Sequence, residues 1–400
     1  MAVDQAAGAS RRRIDLGILF FVRFIRAVAF GFAAVLVGIY LQARHIDPLQ
    51  IGIVIAVGFA AAAITGLLAA NGQARFGRRR TLAATGVLML ASGIVFAFGG
   101  TFWLFLVAGL TGMLGVAGTD TGPFLSVEQA VLTDATTAAG RNRAFGRYSL
   151  TGSLAGAGGA AMASFGSSTF QIQLLFVLYA VVGLITAILP LFLSPDIEGE
   201  PHAPAFGNLR PLIGLSALFG VDSFGSGLIA RAMLAYWLHL KFGATPAILG
   251  PTFAAMQLLG AFAYELAGRL ADRIGLINTM VFTHLPSNLM LLLFPFLPNL
   301  TLAIGLLIVW SAAQGMDVPA RQAYVVSIVK PNERSGAVAV TGLARGLASA
   351  AGPAITGAAI QSAALGTPFI VAGVVKALYD VALYIGYKSR PGEHEVRSAS

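Results

Sequence analysis

Charged side chains recur inside long apolar runs of this sequence, and their types and spacing define the chemistry open to it. Arg23 and Arg26 stand three apart, on neighbouring faces of a helix. Asp120 and Glu128 share a later run, Asp222 and Arg231 another, and Arg345 stands in a run of its own. Asp317 with Arg321, and Lys376 with Asp380, are each four apart and share a helical face. If these runs cross a bilayer, each charge costs about 2.5–3.5 kcal/mol near its centre and needs a reason. Two kinds of chemistry fit. An arginine attracts an anionic group or holds a carboxylate. A desolvated carboxyl is disfavoured in its charged form, so it can carry a proton, and one that alternates between proton and arginine is a coupling device. Static pairing is the competing reading. It is the expected role of Lys376 with Asp380 and an equal alternative for Asp317 with Arg321. Glu128, Asp134 and Glu265 lie near the ends of their runs, where a carboxylate reaches water.

The elements that carry these residues follow from composition. Of 400 residues, 57% are apolar and 11% charged, with a mean hydropathy of +0.80. So few charges do not cover a soluble surface. Lipid forces every backbone group to pair within its own segment, so apolar runs of about 20 residues read as membrane-crossing helices. Twelve such runs are expected: 16–41, 51–70, 82–99, 102–132, 144–165 and 172–193, then 209–238, 247–267, 280–297, 300–329, 336–360 and 369–387. The N-terminal segment, with Arg11, Arg12 and Arg13, runs into the first of them and reads as a retained helix, not a signal peptide.

Charge placement supports that number. With the N-terminus cytoplasmic and the sides alternating, seventeen lysines and arginines fall on the cytoplasmic side and only Arg44 and Lys241 opposite. That bias sets orientation and accounts for the net charge of +9. Both termini are then cytoplasmic. A polar stretch at 194–208 divides the chain, giving an expected N-terminal bundle at 1–197, a cytoplasmic linker at 198–208 and a C-terminal bundle at 209–400.

The halves also repeat. Arg75-Phe-Gly77 matches Arg273-Ile-Gly275 at an offset of 198, Gly118-Thr-Asp120 matches Gly315-Met-Asp317 at 197, and Gln129-Ala130 matches Gln322-Ala323 at 193. Agreement near half the chain length implies two parallel six-helix repeats. The loop Gly268-Arg-Leu-Ala-Asp-Arg-Ile-Gly275 is complete as G-x-L-A-D-R-x-G, whereas its first-half copy keeps only Arg75, Gly77, Arg78 and Arg79. On these residues the chain resembles the major facilitator superfamily of secondary transporters over about residues 14–390.

The resemblance implies an all-α membrane fold of two pseudo-symmetric six-helix bundles and transport by alternating access. It places spans one, four, seven and ten around a central cavity. Arg23, Arg26, Asp120, Asp222, Asp317 and Arg321 then become the expected substrate or coupling residues, with Asp120 and Asp222 as proton carriers. It also makes Gly268, Asp272, Arg273 and Gly275 a gating loop, with Arg143 and Arg147 at the start of span five as partners of Asp272 when the cytoplasmic side closes. In span eleven, Gly346, Gly352, Pro353 and Gly357 read as tight packing.

Several functions are excluded. Without cysteine there is no thiolate nucleophile, disulfide or Cys-ligated metal. No P-loop, H-E-x-x-H or G-x-S-x-G motif occurs, and the five histidines have no ligand spacing. The basic loops lack interleaved aromatics, so nucleic acid is not an expected partner. No enzyme activity and no cofactor are expected. The expected function is proton-coupled efflux of a small organic solute from a bacterial-type inner membrane by a lipid-embedded monomer. Proton-linked uptake of an organic anion, or a non-transporting sensor or scaffold, are the alternatives.

Overall fold

The computed structural model describes residues 2–118, 122–136, 138–198, 210–329 and 334–388, and every regular element among them is helical. Spans one to three are α1 (Ala2–Ala43), α2 (Pro48–Phe76) and α3 (Arg78–Phe98). Span four is broken into α4 (Phe102–Leu110) and α5 (Pro123–Ala135). Spans five and six are α6 (Ala138–Met162) and α7 (Thr169–Ile188). Span seven is α8 (Arg210–Leu228) and α9 (Arg231–Phe242), followed by α10 (Pro246–Ile274) and α11 (Leu276–Leu291). Span ten is α12 (Leu300–Gly315) and α13 (Asp317–Ser327), and α14 (Arg334–Gln361) and α15 (Thr367–Tyr387) complete the twelve.

Among the described residues, ten segments are long and apolar enough to cross a membrane. The other two are the broken fourth span and α6, whose arginines and six glycines dilute its hydropathy. The expected linker lies, apart from Glu198, outside the described residues.

Three spans expected as single runs are interrupted, the fourth for a local reason. Between α4 and α5, Gly112, Gly115 and Gly118 take φ of 71°, 63° and 67°, left-handed values that end a helix and suit a residue without Cβ. Pro123 then restarts it, its missing N–H harmless in the first turn. Span seven stops at Leu228 and resumes at Arg231, and span ten changes axis at Met316. The internal repeat is visible in the backbone: Gly77 joins α2 to α3 with φ 86° and Gly275 joins α10 to α11 with φ 87°.

The two six-helix bundles meet along one seam, α2 on α14, α6 on α10 and α1 on α9. At one end it is closed backbone to backbone. A Cβ added at Gly52 would meet the Pro353 carbonyl, one at Gly357 the Pro48 carbonyl, and one at Gly250 the backbone of Ala160 and Ser164. Small residues allow this approach, the role expected of the Gly–Pro pattern in span eleven. At the other end, Gly146 of α6, Gly260 and Gly268 of α10 and Gly342 of α14 have nothing within 4 Å of where a Cβ would stand. The seam therefore opens toward the end that carries Gly77 and Gly275.

Polarity is arranged inside out. Phe98, Trp103, Phe262, Phe296 and Ile385 are each more than two-thirds exposed, a surface only lipid would cover. Arg26, Glu128, Asp222, Lys376 and Asp380 are buried.

Candidate functional site

Asp222 of α8 is the hub of the buried charges. Lys376 of α15 donates from Nζ to its Oδ1 at 2.5 Å and to Ser226 Oγ at 2.8 Å. Arg321 of α13 donates from Nη1 to Asp222 Oδ2 at 3.3 Å and to Asp317 Oδ2 at 2.7 Å. His284 of α11 brings Nε2 to 3.7 Å from Asp222 Oδ1. The sequence makes room for this: a Cβ on Gly225 would fall 2.6 Å from Lys376 Cγ. Asp222, Gly225 and Ser226 thus form on one helical face a carboxylate, a gap and a hydroxyl, a socket for an ammonium group from the neighbouring helix.

A cavity of about 270 Å³ opens on this hub, lined by Asp222, Asp317, Arg321, Lys376 and His284, with Arg231, Arg345, Tyr264 and Trp310. Four cations and two carboxylates face it. Lys376 and Arg321 are held by those carboxylates. Arg345 donates from Nε to Ser223 Oγ at 3.1 Å, and Arg231 donates to Gln257 Oε1. Neither forms an ion pair with a carboxylate among the described residues. Arg321, Arg345 and Ser349 also line a second cavity of about 400 Å³ that runs between α2 and α14 past Gln322, Val325 and Thr341, on the open side of the seam. Asp222, His284 and Asp317 bring three metal-type donor atoms within 4.8 Å of one another. Lys376 and Arg321 already sit on those carboxylates, so an added divalent ion would meet their repulsion.

The expected residues divide into groups. Asp222, Asp317 and Arg321 come together. Asp120 lies outside the described residues. Arg26 is fully buried and lines neither cavity. It donates from Nη1 and Nη2 to Glu128 Oε1 and Oε2 at 3.0 and 2.7 Å, while Tyr148 donates its hydroxyl to Oε2. Phe124 covers the guanidinium at 4.0 Å, and Arg23 lies 4.8 Å over the Tyr148 ring. The expectation that Glu128 reaches water is corrected: it is fully buried because Arg26 meets it from α1. The expected pairing of Lys376 with Asp380 is corrected too. Lys376 reaches across to Asp222, and Asp380 turns to α11, facing His284 Nδ1 at 3.0 Å and Asn288 Nδ2 at 2.7 Å.

In the loop signature, Gly275 makes the tight turn and Gly268 is exposed. Asp272, Arg273, Arg143 and Arg147 are exposed, and no ion pair among the described residues joins Asp272 to α6. The degraded first-half copy is the better anchored. Arg78 pairs with Asp134 at 2.7 Å and donates to the Ile197 carbonyl, and the Glu198 carboxylate accepts from the backbone N–H groups of Arg78 and Arg79.

Comparison with known proteins agrees with this architecture. An uncharacterized membrane protein of Saccharomyces cerevisiae, YJR124C, is 24% identical, the alignment covering 92% of this chain and 93% of that one. The crystal structure of the nucleoside transporter NupG superposes with a TM-score of 0.72 at 14% identity, covering 94% of this chain and all of the other. That of a D-xylose-proton symporter gives 0.70 at 16%, covering 92% and 97%. The sequence profile of the Major Facilitator Superfamily matches residues 19–238 and 215–400, nearly the whole chain. With two bundles, a seam and a charged cavity between them, the chain belongs to the Major Facilitator Superfamily and is a secondary transporter.

Proposed function

We propose that the protein carries a small organic anion together with a proton. The observation that carries this reading is the charge imbalance of the cavity, four cations against two carboxylates. Arg231 and Arg345 offer guanidinium groups to a cargo carboxylate or phosphate. Coupling follows from Asp222. Ionised, it occupies Lys376 and Arg321. Protonated, it releases Lys376 and leaves Arg321 to Asp317, and the cavity gains one positive charge for the anion to neutralise. Proton and anion then bind with mutual support, which is symport. Efflux by exchange asks proton and cargo to compete for one group, as a cationic cargo at Asp222 would; the excess of positive charge disfavours such a cargo. A sensor or scaffold would have no need of the cavity.

The positive-inside bias assigns the open end of the seam to the cytoplasm, both termini with it, and makes this an inward-facing state. The chain acts as a monomer in the plasma membrane, its basic loops against anionic headgroups. Asp272 closes onto Arg143 or Arg147 when that end shuts.

The test is a panel of organic anions, neutral solutes and cations in proteoliposomes with pH gradients of both signs. An anion should accumulate when the opposite compartment is acidic, faster as its pH falls, and Asp222→Asn should abolish accumulation. Equal rates under both gradients, or transport confined to cations or neutral solutes, would overturn the reading.

A further inference from the structure

Asp380 presents a problem that the transport cycle above does not use. It is fully buried, and no arginine or lysine pairs with it among the described residues. Its neighbours are His284 Nδ1 at 3.0 Å from Oδ1 and Asn288 Nδ2 at 2.7 Å from Oδ2, and Asn288 Nδ2 also lies 3.1 Å from His284 Nδ1. An ionised carboxylate so enclosed would lack a full countercharge.

Two assignments fit the Asn288 amide as placed, its NH₂ donating to Asp380 Oδ2. In the first, the hydrogen between Asp380 Oδ1 and His284 Nδ1 belongs to the carboxyl; in the second it belongs to Nδ1 and leaves a buried carboxylate among neutral neighbours. The cost of burying that uncompensated charge favours the first, in which Asp380 is a carboxylic acid. With the amide turned over, its oxygen would meet Asp380 Oδ2 at 2.7 Å, a contact that also requires a hydrogen on the carboxyl. In the first arrangement neutral His284 keeps its hydrogen on Nε2, the nitrogen 3.7 Å from Asp222 Oδ1.

We infer that Asp380 is a second protonation site, a sealed proton store joined to the cavity through His284 and Asp222. The transfer balances without charging the imidazole. Asp380 gives its proton to His284 Nδ1, and His284, once Nε2 closes the 3.7 Å that separates it from Asp222 Oδ1, gives the proton of Nε2 to Asp222. The result is an Asp380 carboxylate, a neutral histidine of the other tautomer and an Asp222 carboxylic acid. Lys376, released from Asp222, lies four residues before Asp380 on the same face of α15 and can turn to the new carboxylate. The other charged or titratable side chains facing this group are Arg321 and Asp317 from α13, Arg345 from α14 and Tyr379 from α15, whose ring centroid is 6.0 Å from that of His284. The inference rests on Asp222 as the coupling carboxylate, but its test needs no cargo.

Infrared difference spectroscopy of the purified protein at neutral pH reads the C=O stretch of protonated carboxyls. The wild type should show a band that disappears in Asp380→Asn and persists in Asp222→Asn. On transfer to D₂O the band shifts as the proton exchanges, and His284→Gln should slow that shift about a hundredfold, the scale of a positioned proton-transfer group. A band that survives in Asp380→Asn would overturn the store. An exchange rate unchanged in His284→Gln would overturn the relay. If Asp380→Asn does not yield folded protein, Asn288→Leu serves: it should move the band, and an unmoved band counts against Asp380. Failure of proton-driven transport with this band present would remove the symport reading and leave the store.

Discussion

A buried charge is defined by its partner, and Glu128 and Asp222 differ in theirs. Glu128 is matched by Arg26 through two parallel hydrogen bonds and shut away from both cavities. Asp222 divides its two oxygens among Lys376, Arg321 and His284 and faces the cavity. The first arrangement reads as permanent and the second as exchangeable. Glu128→Gln should therefore destabilise the protein by about 3–5 kcal/mol, since it leaves Arg26 buried without its countercharge. Arg26→Met combined with Glu128→Leu should recover most of that loss and retain transport, measured by thermal unfolding in detergent and by uptake. Asp222→Asn should lose proton-driven accumulation, and Lys376→Met added to it should restore stability but not coupling; a double-mutant cycle separates the two effects. At this scale the sequence shows which residues are out of place in lipid, because a charge inside an apolar run is visible without coordinates. It does not show their partners. Lys376 and Asp380 share a helical face, yet each turns to a different neighbour, and helix packing decides that.

Helices as elements follow from hydropathy, and their interruptions do not. Twelve crossings are legible because each needs about 20 apolar residues and the basic loops must alternate. The breaks in spans four, seven and ten fall within runs whose hydropathy continues across them. Only the three glycines at positions 112, 115 and 118 leave a local trace. The breaks matter because they set site residues at helix ends: Arg231 opens α9 and Asp317 opens α13. An aspartate in the first turn of a helix is stabilised by the partial positive charge there, and Asp317 holds Arg321 from that position. Gly225 acts at this scale as well. Gly225→Val should push Lys376 from its socket, lowering uptake severalfold while changing helicity little by circular dichroism.

The whole molecule is captured with one end of its seam shut and the other open. Because the chain has no cysteine, introduced pairs report on this without background. Leu49→Cys with Gln361→Cys sits at the shut end, where the Leu49 N–H donates to the Gln361 side chain at 3.2 Å, and should cross-link readily. Arg143→Cys with Asp272→Cys spans the open end and should cross-link only when that end closes. Conditions that raise one yield should lower the other, read by mass spectrometry of the linked peptides; yields that rise together would count against rocking. The feature with the widest consequence is how the shut end is joined. At Gly52, Gly357 and Gly250 main chain lies directly on main chain. Two smooth rods can part in a single movement, so the hurdle to separation is the rewetting of bare peptide faces. Any bulk added at those three positions weighs on one posture alone, and this leaves natural variation a dial for the resting balance that is independent of cargo recognition.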